Sequence, residues 1–315
     1  MNDEKPTILI AGTGAMACLF SARLSEIRVP VIHLGTWSAG LEALRRDGVH
    51  LVEADGNERV YPVRVITDPL DAKGVKYALV LVKSWQTGRV AHQLASCLAE
   101  DGLALTLQNG LGNREALAET LGSQRAALGV TTTGATLLAP GRVRAVGDGM
   151  ISLGVHPRIE PIAGLLTRAG FVVETVTDTE TLLWGKLVIN AAINPLTALL
   201  DVPNGELLAR SNARAVLGSA AREAAAVAVA RGIRLPYPDP VAIVETVARR
   251  TATNSSSMRQ DVKRGAPTEV DAINGAITRS GDEHSVPTPI NRTLWQLTKA
   301  LVDGGTRDAG LFGRA

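Results

Sequence analysis

The apolar positions of the chain fall into two textures, and the change between them lies near Thr177. Before it they form short runs of strand length, at residues 7–11, 31–34, 77–82, 103–107, 126–133, 142–146, 150–153 and 172–176. Runs of this kind, bounded by Gly, Pro and Asp, read as strands, and those apolar at every position read as strands buried on both faces. From Asp178 onward the period is that of helices, over residues 179–193, 213–231, 240–252, 269–279 and 289–302. Asp55-Gly56, between two alternating segments, predicts a hairpin turn, and Ala139-Pro140-Gly141 predicts another turn. The expectation is an α/β chain of two domains, residues 1–177 and 178–315, the second entirely helical. No internal repeat interrupts this division, and only the glycine-bearing tail after Asp303 reads as loose.

With 315 residues, each domain can bury a proper core. Apolar content of 45% with 20% charge is that of an ordinary globular protein. Lys and Arg number 33 against 31 Asp and Glu, and this net charge of +2 gives no case for nucleic acid as a partner. The first residues lack the basic region of a secretory signal, and no run reaches the ~20 apolar residues of a membrane span. Cys18 and Cys97 form no CxxC, which fits a reduced, cytoplasmic setting. The histidines are scattered without ligand spacing, so no metal site is expected.

The first strand runs into Gly12-Thr13-Gly14-Ala15-Met16-Ala17 and then an apolar-periodic helix. In a dinucleotide-binding turn the first glycine makes the bend and the second lets the backbone approach the pyrophosphate. A small third residue, here Ala17, lets helix and strand pack closely. N–H groups at the helix start then hold the phosphates. The second strand ends in Gly35-Thr36-Trp37, with no carboxylate to repel a 2′-phosphate, which permits NADP without demanding it. Arg45 and Arg46 are near enough in sequence to add positive charge, or are simply solvated helix residues. Two further strands end in Lys83-Ser84-Trp85-Gln86 and in Gln108-Asn109-Gly110. These bring a lysine and carboxamides to the edge where ligands bind in parallel sheets.

In the second half, Lys186, Asn190 and Asn194 follow one another at four-residue spacing in an otherwise apolar helix. At about 100° per residue they fall within an arc of roughly 80°. A ladder of carboxamides alone would serve helix packing. A lysine in the same buried row needs a polar or anionic partner, so the row is expected to form the wall of a site. Asn254-Ser255-Ser256-Ser257 precedes a helix, where its hydroxyls suit either a cap or a carboxylate ligand. Thr268 likewise suits an N-cap, with Glu269 in the first helical turn and Asp271 and Asn274-Gly275 following.

Taken together, the chain resembles the ketopantoate reductase family (2-dehydropantoate 2-reductase) along nearly its whole length. The resemblance rests on the glycine loop, Val82-Lys83-Ser84-Trp85-Gln86, Gln108-Asn109-Gly110 and Gly129-Val130-Thr131-Thr132-Thr133. In the second half it rests on Lys186, Asn190 and Asn194 in register, Asn204-Gly205, Asn254 with Ser257, and Thr268-Glu269. It implies a Rossmann-type NADP domain followed by a helical domain, with the active site in the cleft between them. The implied reaction is hydride transfer from NADPH to the ketone of 2-dehydropantoate, giving pantoate for pantothenate and coenzyme A synthesis. By the same resemblance Lys186 is the proton donor, and Asn190, Asn194 and Asn204 bind substrate. Asn254 and Ser257 hold its carboxylate, and Glu269 sits beside nicotinamide and substrate hydroxyl. Asn109 contacts cofactor and substrate, Lys83 lines the cofactor side, and Thr136 touches the cofactor. The family includes monomers and dimers, which leaves a homodimer open.

Two positions depart from the family pattern. Thr36 stands where members often carry an arginine for the 2′-phosphate, which weakens the case for NADPH and leaves NADH open. A histidine common after Gly141 is replaced around Ala145, which points to altered substrate detail. A paralogous reductase of another branched 2-oxo acid would use the same groups. A dinucleotide sensor without turnover would have no use for Lys186.

Overall fold

The structure, a computed structural model, describes residues 6–147 and 149–305; the expected loose tail lies largely beyond these residues. The chain divides into two compact units. One runs to Gln108 and resumes over Gly112–Thr179; the other takes Asn109–Leu111 and begins again at Glu180.

In the first unit the elements are β1 (Ile8–Ala11), α1 (Ala15–Glu26), β2 (Val31–Leu34), α2 (Ser38–Asp47), β3 (Val49–Val52), β4 (Glu58–Tyr61) and β5 (Arg64–Ile66). They continue as β6 (Val75–Val80), α3 (Thr87–Cys97), β7 (Leu98–Thr106), α4 (Asn113–Leu121), β8 (Ala126–Thr131), β9 (Gly134–Ala139), β10 (Arg142–Val146), β11 (Met150–Gly154), α5 (Glu160–Arg168) and β12 (Val172–Val176). Eight strands form one sheet in the order β12-β11-β8-β7-β6-β1-β2-β5, parallel throughout except between β8 and β11. All four residues of β1 are fully buried. Ile8 and Ile10 pack with Phe20, Leu79 and Leu103 on one face, and Leu9 and Ala11 with Ala78, Val80 and Leu94 on the other. This two-sided burial is why the strand is apolar at every position.

From β1 the chain moves to β2 on one side, while β6 lies on the other, so the strand order reverses between β1 and β6. Ligands of such sheets bind at the carboxyl ends of the strands flanking this reversal. Gly12 follows β1 and Lys83 follows β6 at that edge. The backbone there is tied by Gly12 N–H to the Leu34 carbonyl at 2.8 Å and Leu81 N–H to the Ala11 carbonyl at 2.9 Å.

A second sheet, in the order β4-β3-β10-β9, is not predicted by the pattern of apolar runs. It packs on α1, where Cys18, Leu19 and Ala22 meet Leu51 and Val143. The expected hairpin at Asp55-Gly56 joins β3 to β4, with Gly56 at φ +87°. The stretch expected as one strand to Thr133 stops at Thr131, because the Thr131 hydroxyl accepts the N–H of Thr133 at 3.1 Å and turns the chain toward β9.

The second unit holds α6 (Thr179–Leu200), α7 (Glu206–Ala209), α8 (Ser211–Ala230), α9 (Pro240–Arg250), α10 (Ser257–Lys263), α11 (Asn274–Glu283) and α12 (Pro289–Gly305). Among its described residues there is no strand. Trp184, Leu187, Val188 and Ala191 of α6 form its core with Leu217, Ala221 and Ala224 of α8 and Ile277 of α11. Two expectations are corrected. Helix α6 does not end at Ile193 but continues through Pro195 to Leu200, because a side chain from α11 satisfies the carbonyl that the proline leaves without a donor. Helix α11 begins at Asn274 rather than Glu269; residues 269–273 are turns, closed by Ala272 and Ile273 N–H groups on the Glu269 carbonyl at 3.0 and 3.1 Å.

Contrary to the sequence expectation, α6 is long and apolar enough to cross a membrane by length and composition. In the structure 67% of its most apolar window is buried inside the protein, as in a core helix.

Candidate active site

The glycine loop is shaped by constraints that only glycine meets at one position and that leave room at the next. Gly12 adopts φ +127°, and a Cβ there would stand 3.0 Å from the Leu81 carbonyl oxygen. Gly14 has ordinary extended backbone, and a Cβ on it would meet nothing within 4 Å. Space beside the backbone at a helix start is what an approaching pyrophosphate needs. Helix α1 also has no side-chain cap and no acid in its first turn, so nothing there competes with an anion. Ala17 is fully buried in the sheet–helix core, while Ala15 and Met16 are partly exposed. Thr13 is buried. These residues fit a dinucleotide.

Beneath the loop, the fully buried His33 of β2 donates from Nδ1 to the Gly12 carbonyl at 2.9 Å. Its Nε2 has no hydrogen-bond partner. Burial pushes the imidazole down to about 4, against the weaker opposing effect of that carbonyl, so the ring is neutral at pH 7. No motif marks His33 in the sequence; its one signal there is a lone histidine inside the apolar run Val31-Ile32-His33-Leu34.

Thr36 and the half-exposed Trp37 lie between β2 and α2. Arg45 and Arg46 occupy the last turn of α2, about 10 Å along the axis from its start at 1.5 Å per residue. Arg46 is bonded to Asp47 at 2.6 Å. They are surface residues, as one of the two sequence readings had it. Lys83 is partly buried at the start of a short 3₁₀ turn. Gln108 proves structural: its Nε2 donates to the Val82 carbonyl and Thr87 Oγ1, both at 2.9 Å, locking the ends of β6 and β7 together. Thr136 pairs with Arg144 in the second sheet. Its neighbours in the strand pattern, Ala135 and Ala145, pack toward α1, so Thr136 points to the opposite face. Ala145 is thereby a packing residue.

The second unit gathers its own cluster. Lys186 is partly buried, Asn190 is partly buried and Asn194 is 7% exposed, along one side of α6. Gly185 makes the backing possible, since a Cβ there would lie 2.7 Å from Pro236, and the Tyr237 hydroxyl donates to its carbonyl at 2.9 Å. Desolvation pushes the Lys186 ammonium down to about 8, with the Glu269 carboxylate opposing. Glu269 is 6% exposed, and Asn109 Nδ2 donates to its Oε2 at 3.4 Å. The Asn109–Leu111 segment is held here by Leu111 N–H on the Ala272 carbonyl at 2.9 Å, an approach that Gly110, at φ +84°, allows. Lysine, acid and carboxamide are thus brought together from three separate stretches.

Asn204 is buried, with Nδ2 on Thr251 Oγ1 at 2.8 Å and Oδ1 without a hydrogen-bond partner. Its N–H donates to the Asn254 carbonyl at 3.1 Å, so Asn204 is bonded to the 251–254 segment through both backbone and side chain. Asn254 and Ser257 are exposed. Ser256, not Ser257, caps α10, accepting Arg259 N–H at 3.1 Å. Thr197 Oγ1 gives its proton to the Asn194 carbonyl at 2.9 Å, so Ser256 is the donor in their 2.6 Å contact. That bond ties the serine loop to the asparagine row. Thr268 is buried, and its hydroxyl accepts Val270 N–H at 3.5 Å.

A glycine loop at the reversal point of a parallel sheet, and an ammonium whose pKa is lowered to about 8 beside a buried carboxylate, define a dinucleotide-dependent oxidoreductase. Residues 8–158 match the family described as Ketopantoate reductase PanE/ApbA, and residues 178–302 match its C-terminal part. The chain belongs to the ketopantoate reductase family. It is 34% identical over 297 residues to a 2-dehydropantoate 2-reductase of Halobacterium salinarum, covering 93% of this chain and 97% of that protein. With the 2-dehydropantoate 2-reductase of Archaeoglobus fulgidus it shares 36% over 303 residues, 94% of this chain and 98% of the relative. The crystal structure of a PanE/ApbA family ketopantoate reductase from Ralstonia eutropha JMP134 superposes with a TM-score of 0.88 at 32% identity, covering 95% of this chain and 99% of that one. A D-mandelate dehydrogenase with NADH and anilino(oxo)acetate superposes at 0.89 with 26% identity and the same coverage.

Proposed function

We propose that this protein reduces 2-dehydropantoate to (R)-pantoate with NADPH in the cytoplasm, in the synthesis of pantothenate and coenzyme A. The observation that carries the reading is the Lys186 ammonium, lowered to about 8 by desolvation and faced by the Glu269 carboxylate. The nicotinamide, when bound, supplies a hydride to the ketone carbon. Negative charge then builds on the ketone oxygen, where Lys186 stabilises it and delivers the proton, an effect worth roughly 10²–10⁴-fold. Glu269 keeps Lys186 protonated and accepts from the nascent hydroxyl. Asn190, Asn194 and Asn204 hold the substrate's polar groups, and Asn254 with Ser257 binds its carboxylate. Asn109 orients Glu269 and contacts both ligands. Gly12 to Ala17 hold the pyrophosphate, Lys83 lines the cofactor side, and Thr36 stands beside the adenosine ribose. The domain boundary for this chemistry lies at residues 177/178.

A second reading, reduction of another 2-oxo acid with NADH, is favoured by Thr36 in place of a basic residue and by the likeness to the NADH-bound D-mandelate dehydrogenase. Steady-state rates with NADPH and NADH, each against 2-dehydropantoate and a panel of 2-oxo acids, separate the two. Activity confined to another acid removes the proposed substrate; no turnover with any acid removes the enzyme reading.

A further inference from the structure

Proline in a helix interior deprives the carbonyl four residues back of its N–H donor. In α6 that proline is Pro195 and the deprived carbonyl belongs to Ala191, which lies between Asn190 and Asn194 in the sequence. The fully buried Asn274, first residue of α11, donates from Nδ2 to this carbonyl at 3.0 Å. The same amide donates to Asn291 Oδ1 at 3.0 Å. Asn291, also fully buried, gives its own Nδ2 to the Ala220 carbonyl at 3.0 Å and to Glu223 Oε2 at 2.9 Å. Glu223 in turn accepts the N–H groups of Ile290 and Asn291 at 2.9 Å each, at the start of α12. One chain of bonds therefore joins α6, α11, α8 and α12.

Asn274 is also covalently close to the acid. The turns from Glu269 to Ile273 lead directly into it, and Gly275 N–H closes back on the Val270 carbonyl at 2.9 Å. A shift of Asn274 against α6 is therefore a shift of Glu269 against Lys186. An apolar residue of similar size would fill the space, yet would leave the Ala191 carbonyl buried without a donor.

We propose that Asn274 is a positioning residue for the reductase, using the carbonyl freed by Pro195 to hold the Lys186-Asn190-Asn194 row in register with Glu269. The inference rests on the proposed function for its kinetic test. It contacts neither ligand, so its loss acts on the chemical step and leaves dinucleotide affinity alone.

The test is a pair of backgrounds. In the wild-type background, Asn274→Ala lowers kcat about tenfold or more, while the KM for dinucleotide stays within about twofold. In a Pro195→Ala background, residue 195 regains an N–H for the Ala191 carbonyl, and the same substitution costs kcat no more than about twofold. Asn274→Leu, which keeps the branching of the side chain and fills the space, is measured in both backgrounds should the alanine variant fail to fold. Equal losses in the two backgrounds, or a dinucleotide KM that rises in step with the fall in kcat, overturn the proposal. A readout free of turnover is the titration of Lys186 followed by NMR of ¹³C-methylated lysines. Loosening the row admits water, so the midpoint rises by about one unit in Asn274→Ala and returns toward its starting value in the double variant. An unmoved midpoint overturns the proposal even if 2-dehydropantoate proves not to be the substrate, whereas a shifting midpoint without turnover of 2-dehydropantoate overturns only that substrate.

Discussion

The Nδ1–H of His33 donates to the carbonyl of Gly12 at 2.9 Å from a fully buried position. The ring's value of about 4 in the fold, against 6.5 unfolded, makes its neutrality a contribution to stability. A depressed histidine contributes fully above its unfolded value and loses that contribution as pH falls toward the folded one. Between pH 6.5 and 4 the loss amounts to about 3 kcal/mol. His33→Asn keeps a donor at the position of Nδ1 and does not titrate. Urea unfolding across this window is expected to show a shallower pH slope for the variant than for the wild type; parallel slopes would falsify the assignment.

Lys186→Ala is expected to lower kcat by roughly 10²–10⁴-fold while leaving dinucleotide binding intact. In the wild type, the reduction rate is expected to fall as pH rises through about 8, where Lys186 loses its proton. Cofactor binding followed by fluorescence, together with a pH–rate profile, checks both. A variant that retains full turnover would show that the proton comes from elsewhere.

The two loop glycines are expected to separate stability from binding. Gly12→Ala forces a side chain into φ +127° and against the Leu81 carbonyl, so it lowers Tm and dinucleotide affinity together. Gly14→Ala meets no protein atom within 4 Å, so Tm holds while dinucleotide affinity falls about tenfold or more as the Cβ meets the pyrophosphate. Thermal melts beside dinucleotide titrations decide the matter; equal affinity in the wild type and the Gly14 variant would place the cofactor elsewhere.

Thr36→Arg is expected to shift cofactor preference. A guanidinium at the end of β2 can bond a 2′-phosphate, and a charge-assisted bond of this kind is worth about 1.5–3 kcal/mol, roughly 10–100-fold. The kcat/KM for NADPH should rise accordingly and that for NADH should stay nearly level. A gain shared by both cofactors would mean that the residue does not face the ribose.

The alternation of apolar runs and helical periods was enough to determine the parallel sheet, the glycine turn at its start and the change to helices, because both signals are local and set by the pitch of the backbone. Spacing alone put Lys186, Asn190 and Asn194 on one side of α6. It could not say that Gln108 locks two strands, that Ser256 caps α10 while Ser257 is left exposed, or that residues 134–139 join a second sheet. Those outcomes depend on which partners distant segments supply. The extension of α6 through Pro195 shows the point most plainly: local chemistry ends that helix, and it continues because Asn274, 83 residues away, provides the missing hydrogen bond. The lowered pKa of Lys186 has the same origin, since the desolvation that lowers it and the facing carboxylate that opposes it belong to the packed protein and to no single stretch of its sequence.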